Sequence, residues 1–323
     1  MIRIRFTAAD FARVRLAPRP APLQELNVAL LRMCRPDDAV LFGRWRQRLL
    51  RSLPAAAEPL ADLVPAGQAP RFLDVFSDSL TEGLEAVRAG RPEGVRAEIE
   101  RVYARHPAPV PPWVRALHRG DAEAFQLLRR AQLAAFETAV RPVWPVVQDL
   151  HRAEFTRYAL TVAEDGVGAA LDRLVPGGRL RGDVWEFTAP GESDRALRGR
   201  GLVLQPTFHW SGPPLIADLP GRPLYLTYPA GPGLPLTPAG ADGTAEALAE
   251  VLGRTRLEIL LLLAAEHSTT GLARRLGVSN ATASAHTAAL RGAGLITTVR
   301  AGRSVLHRRT ALGTLLVRRH GAE

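Results

Sequence analysis

The sequence predicts an α+β protein in two parts: a mainly helical N-terminal domain carrying a small antiparallel sheet, and a smaller C-terminal domain of short capped helices and a β-hairpin. Three observations predict this. Apolar residues recur at helical spacing through residues 1 to about 180. Three short runs rich in aromatic and β-branched residues, bounded by Gly and Pro, follow between 183 and 228. Beyond the stretch PAGPGLPLTPAGADG, the chain changes to short capped helices. At 323 residues it is long enough for two cores. The expected boundaries are an N-terminal domain over 1–230, a Pro/Gly linker over 231–243 and a C-terminal domain over 244–323.

Along the N-terminal part, residues 2–6 alternate as a strand does. They lead into Thr7-Ala8-Ala9-Asp10, a capping box with Asp in place of Glu. Helix-period segments cover 23–33, 72–89, 92–103 and 121–140. The last opens on an acidic N-cap and sets Phe125, Leu128, Gln132 and Phe136 near one face. Prolines 107, 109, 111 and 112 mark a loop before Trp113, and a further helix runs from Trp144 to about Leu174, stopped by Val175-Pro176-Gly177-Gly178. The strand-like runs are 183–188, 201–209 and 224–228; the expectation is one antiparallel sheet joined by the N-terminal strand.

In the C-terminal part, 244–252 predicts a short helix and 257–266 a leucine-rich one that must be buried. Ser268, Thr269 or Thr270 caps a helix over 271–276 with Leu272, Ala273 and Leu276 on its apolar face. Gly277 suits the left-handed residue that ends a helix, and Ser279 caps the next one, 280 to about 291. Two capped helices around a tight Gly-containing turn form a helix-turn-helix. Runs 295–299 and 304–309 flank Arg300-Ala301-Gly302-Arg303 as a basic hairpin, a wing beside the second helix.

Taken as a set, LGRTRLEILLLLA, LARRLGVSNATASAHTAALRGAGLI and the basic hairpin resemble the ArsR-type winged-helix transcriptional repressors over about residues 245–316. The upstream 240 residues resemble the region attached to such winged helices in some GC-rich bacteria. The resemblance implies a transcriptional regulator that binds double-stranded DNA. One winged helix makes few base contacts, so a homodimer on an inverted-repeat operator is expected. The first 16 residues hold no signal-like apolar run, so a cytoplasmic protein is expected, and the lack of catalytic motifs makes it a binding protein and not an enzyme. Two positions depart from the resemblance: Thr287 stands where the family has a large aliphatic residue, and Ala288 where it often has a basic one.

Helix geometry then sorts residues 279–290. Ala283, Thr287 and Leu290 fall on the inward stripe, which leaves Asn280, Thr282, Ser284 and His286 for base edges, with Ser279 on the free amides of the helix start. Arg300, Arg303, Arg308 and Arg309 are the wing's candidate phosphate ligands. Charge favours this placement: residues 245–323 hold 11 Arg against 5 acidic residues, a net of +6 out of the chain's +10.

Other functions lack the residues they need. All 42 basic residues are arginine, a composition typical of GC-rich coding, and Cys34 is the lone cysteine. The winged helix therefore has no Cys cluster, and the terminal segment offers only His320 and Glu323, too few donors for a d-block metal. No metal or other cofactor is expected. His209, Ser211 and Asp218 are residue types that hydrolases use, but no nucleophile elbow, HExxH, P-loop or Rossmann pattern accompanies them. The most apolar stretch, 257–265, is about half a membrane span, so no membrane partner is expected. For the N-terminal domain three readings stay open: a sensor of a small organic effector, using the apolar material around Trp113, Trp144, Trp185 and Trp210; an oligomerisation module; and a cryptic enzyme.

Overall fold

The computed structural model describes residues 1–35, 39–65, 69–104, 109–231, 235–236, 245–301 and 304–319. The chain divides into two compact units, Met1–Pro235 and Leu236–Glu323. The division falls within the expected linker, most of which lies outside the described residues.

The first unit starts with β1 (Ile2–Arg5), α1 (Ala8–Phe11) and β2 (Val14–Leu16), followed by α2 (Pro22–Cys34), α3 (Ala39–Ser52), α4 (Pro59–Asp62), α5 (Leu80–Arg88), α6 (Pro92–Tyr103), α7 (Pro112–His118), α8 (Ala122–Ala139) and α9 (Trp144–Leu174). The Thr7–Asp10 capping box forms in both directions. Asp10 is fully buried and also accepts the amides of Gly199 (3.0 Å) and Gly201 (2.8 Å), so this short cap pins a loop 190 residues away. Burial alone would raise its pKa; the hydrogen bonds from Thr7, Gly199 and Gly201 outweigh that and hold it below the ordinary value.

One core lies around α8, where Leu128, Ala131, Ala135 and Phe136 meet Leu26, Leu63, Leu84 and Leu117 from the surrounding helices. The expected helix over 72–89 is shorter. Residues Arg71–Leu73 make a 3-10 turn, Ser77 Oγ accepts the amide of Ser79, and Ser79 caps α5 by accepting the amide of Glu82. These short polar side chains bond the backbone locally and so delay the helix. The long helix α9 is interrupted at Gly166, which has φ 84° and ψ 169°.

The single antiparallel sheet expected from the sequence is corrected to two four-stranded sheets. They are built with β3 (Arg179–Arg181), β4 (Val184–Phe187), β5 (Ser193–Ala196), β6 (Leu202–Thr207), β7 (Leu215–Asp218) and β8 (Leu224–Pro229). One has the order β3-β4-β1-β5 and takes in the N-terminal strand; the other is β2-β6-β8-β7. In the second, β6 runs parallel to both β2 and β8, pairing Leu202 with Leu224 and Leu204 with Leu226. The reason is that β7 takes the antiparallel edge and β8 returns between it and β6. All six residues of β6 are buried, as in a strand covered on both faces. Ile4, Trp185, Phe187, Leu202, Leu224 and Leu171 join the sheets and the end of α9 in a second core.

The second unit comprises α10 (Ala245–Leu252), α11 (Arg254–Leu262), β9 (His267–Ser268), α12 (Thr269–Leu276), α13 (Asn280–Gly292), β10 (Ile296–Ala301), β11 (Ser304–Arg309) and α14 (Ala311–Arg319). α11 starts three residues before its expected first residue, because Gly253 at φ 86° acts as its N-cap. Ile259, Leu260, Leu263, Leu272, Leu290, Leu295, Ile296 and Val317 make its core. The hairpin β10–β11 is extended by β9 into a three-stranded sheet, order β10-β11-β9. The overall class is thus mixed α+β with a helix-turn-helix at the C-terminal end. Among the described residues, no helix is long and apolar enough to cross a membrane.

Candidate nucleic-acid interface

The interface is built on α12, the turn, α13 and the hairpin. Ser268 caps α12, its Oγ accepting the amide of Gly271 at 3.1 Å. Gly277 ends it at φ 66°, ψ 28°, the left-handed conformation that only glycine takes without strain, and its amide bonds back to the carbonyl of Ala273. Ser279 then caps α13 by accepting the amide of Thr282 at 3.0 Å. The amides of Asn280 and Ala281, in the first turn, have no intrahelical acceptor, as at any helix start.

Burial sorts α13 into two faces. Ala283, Thr287 and Leu290 are buried, while Asn280, Thr282 and Ser284 are exposed and His286 is half-buried. The Thr282 hydroxyl lies 2.8 Å from Ser279 Oγ, so it reaches a base only with its remaining hydrogen-bonding capacity. Thr287 satisfies its hydroxyl within the helix, donating to the carbonyls of Ala283 (2.9 Å) and Ser284 (3.0 Å). The hydroxyl is thereby satisfied although the residue is buried.

The strands of the wing pair in register from Ile296 opposite Arg309 to Ala301 opposite Ser304. Arg300 lies within β10, one pair from the end of the ladder, and is exposed. Arg308 is also exposed and donates to Thr297 Oγ1 at 3.2 Å, which steers its guanidinium across the hairpin. Arg309 is half-buried, less exposed than Arg300 and Arg308. Arg303, expected at the tip with Gly302, lies outside the described residues, as does His320.

A network that sequence reasoning missed ties the wing to the helix-turn-helix. His307, buried in β11, sets its Nε2 2.8 Å from Thr269 Oγ1 at the start of α12 and its Nδ1 3.0 Å from Thr298 Oγ1 in β10. Burial, with Arg291 nearby, lowers its pKa, so the ring is held neutral. No local motif signals this contact, because it joins residues 38 positions apart.

A family model described as a helix-turn-helix domain matches residues 252–299, from the end of α10 into β10. No curated protein and no solved structure matches the chain. Fold, geometry and match together define the class: the C-terminal unit is a helix-turn-helix DNA-binding domain of a transcriptional regulator.

Two of the hydrolase-type residues of the first unit, His209 and Asp218, have separate charged partners. His209 Nδ1 lies 2.7 Å from Glu25 Oε2, whose carboxylate also accepts from Thr207 Oγ1 and the amide of Phe208. Asp218 instead pairs with Arg195 and Arg200. Trp185 and Trp210 are core residues, whereas Trp113 donates to Asp62 Oδ2 and Trp144 borders a cleft. Among the described residues no group of three or more His, Cys, Asp or Glu could hold a metal ion.

Proposed function

We propose that this regulator is an ArsR-like repressor that binds an inverted-repeat operator as a homodimer, in the cytoplasm and without a cofactor. Asn280, Thr282, Ser284 and His286 read base edges from α13, and the helix start at Ser279 receives a phosphate. Arg300, Arg303, Arg308 and Arg309 hold the backbone beside it. The observation that carries this reading is the exposed polar N-terminal face of α13, rigidly capped, next to an arginine-bearing hairpin. Two copies are invoked because one winged helix makes too few base contacts for operator-level specificity. A footprint with dyad symmetry supports the dimer; a protein that stays monomeric on a non-symmetric site overturns it.

The N-terminal unit, on this reading, senses a small organic ligand and does no chemistry. The His209–Glu25 pair, with side chains 1% and 2% exposed, is closed to a substrate, which favours a binding role over a catalytic one for these two residues. A ligand regulates by preferring one of two dimer arrangements, a coupling of roughly 1–3 kcal/mol. Replacing residues 1–240 with an unrelated dimeriser tests it. Operator binding should persist while the response to growth conditions is lost; full regulation under every condition would mean that the unit only assembles the dimer.

A further inference from the structure

The first unit holds a cleft of about 390 Å³ bordered by the Pro18–Pro22 arm, the turn between α8 and α9, and one face of α9. That volume lies within the usual range for small-molecule sites, about 300–1,000 Å³. Trp144, His151, Arg152 and Phe155 project along α9 at spacings of seven, one and three, which places them on adjoining parts of one helical face. Phe136 closes the end of α8 and Arg141 stands on the turn.

The lining is basic and aromatic together. Arg19, Arg141 and Arg152 face a single acidic lining residue, Asp78. Each arginine already has a carboxylate: Arg19 with Asp78 at 3.2 Å, Arg141 with Glu137 at 2.8 Å and Arg152 with Asp149 at 3.0 Å. Those pairs are solvent-exposed and cheap to rearrange, and a guanidinium has five N–H donors, more than one carboxylate takes up. The Arg141 guanidinium also sits 5.0 Å from the Phe136 ring centre, which aligns it with the apolar wall.

The second observation is His151. Its side chain is 1% exposed, and its buried Nε2 has no hydrogen-bond partner among the described residues. A buried polar atom without a partner is costly, and this one belongs to a residue that lines the cleft. Burial lowers the His151 pKa to about 4, so the ring is neutral and keeps one N–H to give.

We propose that this cleft binds a small aromatic carboxylic acid, with its carboxylate between Arg141 and Arg152 and its ring against Trp144 and Phe155. The planar fork of arginine matches a carboxylate, and the aromatic walls match a flat apolar body. Reaching the His151 Nε2 requires the ligand to displace the side chains that now cover it. This names the site and ligand class of the sensor reading above, and rests on that reading for its regulatory consequence only.

The test titrates 1-naphthoate into the full-length protein, followed by tryptophan fluorescence and calorimetry, with 1-naphthamide and inorganic phosphate as comparisons. Naphthoate should saturate one site per chain, with the neutral amide and the bare anion each weaker by about tenfold or more. The double variant Arg141→Gln, Arg152→Gln should weaken naphthoate by about tenfold, while Arg44→Gln on α3 leaves it unchanged. Equal binding of naphthamide, an indifferent double variant, or no saturable binding overturns the site; the amide comparison needs no variant and so is independent of any folding defect. Naphthoate that binds as described yet leaves operator affinity unchanged keeps the site and removes the sensor reading. If naphthoate fails to bind while residues 1–240 still confer regulation, the sensor reading stands and this site is wrong.

Discussion

His307 in the second wing strand and Thr269 at the first residue of α12 are joined by a 2.8 Å hydrogen bond, so the wing and the helix-turn-helix are fixed to each other by side chains as well as by the shared core. The ring bridges onward to Thr298, and so one residue ties both strands of the hairpin to the helix that precedes α13.

The bridge has a pH dependence with a definite sign. Burial lowers the pKa of His307 in the folded protein below its unfolded value of about 6.5, so the unfolded chain takes up the proton first. Stability is therefore lost as pH falls below about 6.5. His151, lowered to about 4 in the other unit, adds to the same trend. Urea unfolding of wild type and His307→Asn at pH 7.5 and 5.5 isolates the His307 share: the loss on acidification should be smaller in the variant. An equal loss in both contradicts it.

Two glycines of the winged helix are required for different reasons. A Cβ on Gly313 in α14 would stand 2.2 Å from the Leu295 carbonyl oxygen, so Gly313→Ala must push the helix off the start of the wing. A loss of about 1–3 kcal/mol is expected from such overpacking. Gly277→Ala meets open space, and only its left-handed backbone resists, for a loss of about 1–2 kcal/mol. Denaturant midpoints measure both.

Thr287 gives the opposite expectation. Its hydroxyl bonds back to carbonyls of its own helix, an arrangement that adds little or slightly destabilises. Thr287→Val should thus fold within about 0.5 kcal/mol of wild type and bind DNA unchanged. A loss of several kcal/mol would show that the hydroxyl matters beyond these bonds.

In the first unit, Glu25 and His209 form a pair sealed from solvent. Glu25→Ala leaves His209, Thr207 and the Phe208 amide without their acceptor, and should destabilise by roughly 3–5 kcal/mol. A change under about 1 kcal/mol in the unfolding free energy would mean that water or a rearranged side chain replaces the carboxylate.

The C-terminal unit was legible because its signals are local: Ser268, Gly277 and Ser279 each act within four residues of themselves. The inward stripe of Ala283, Thr287 and Leu290 followed from helical period alone. The N-terminal sheets were not legible in the same way. β6 is buried on both faces and shows no alternation, and its parallel partnership with β8 depends on where β7 lies. Among the helices, α3 was missed. The network of His307, the Glu25–His209 pair and the cleft beside α9 all join residues distant in sequence, which no spacing rule reaches.

The most direct test of the central claim is binding of the full-length protein to duplexes selected from a random library, compared with unselected DNA across a salt series. Selection should enrich a sequence with dyad symmetry. Asn280→Ala should lose about 1–3 kcal/mol on the selected duplex and little on random DNA. Arg300→Ala and Arg303→Ala should weaken both and make each salt slope shallower by about one. No enriched sequence, or an Asn280→Ala variant that loses equally on selected and random duplexes, would contradict the assignment of α13 as the element that reads DNA.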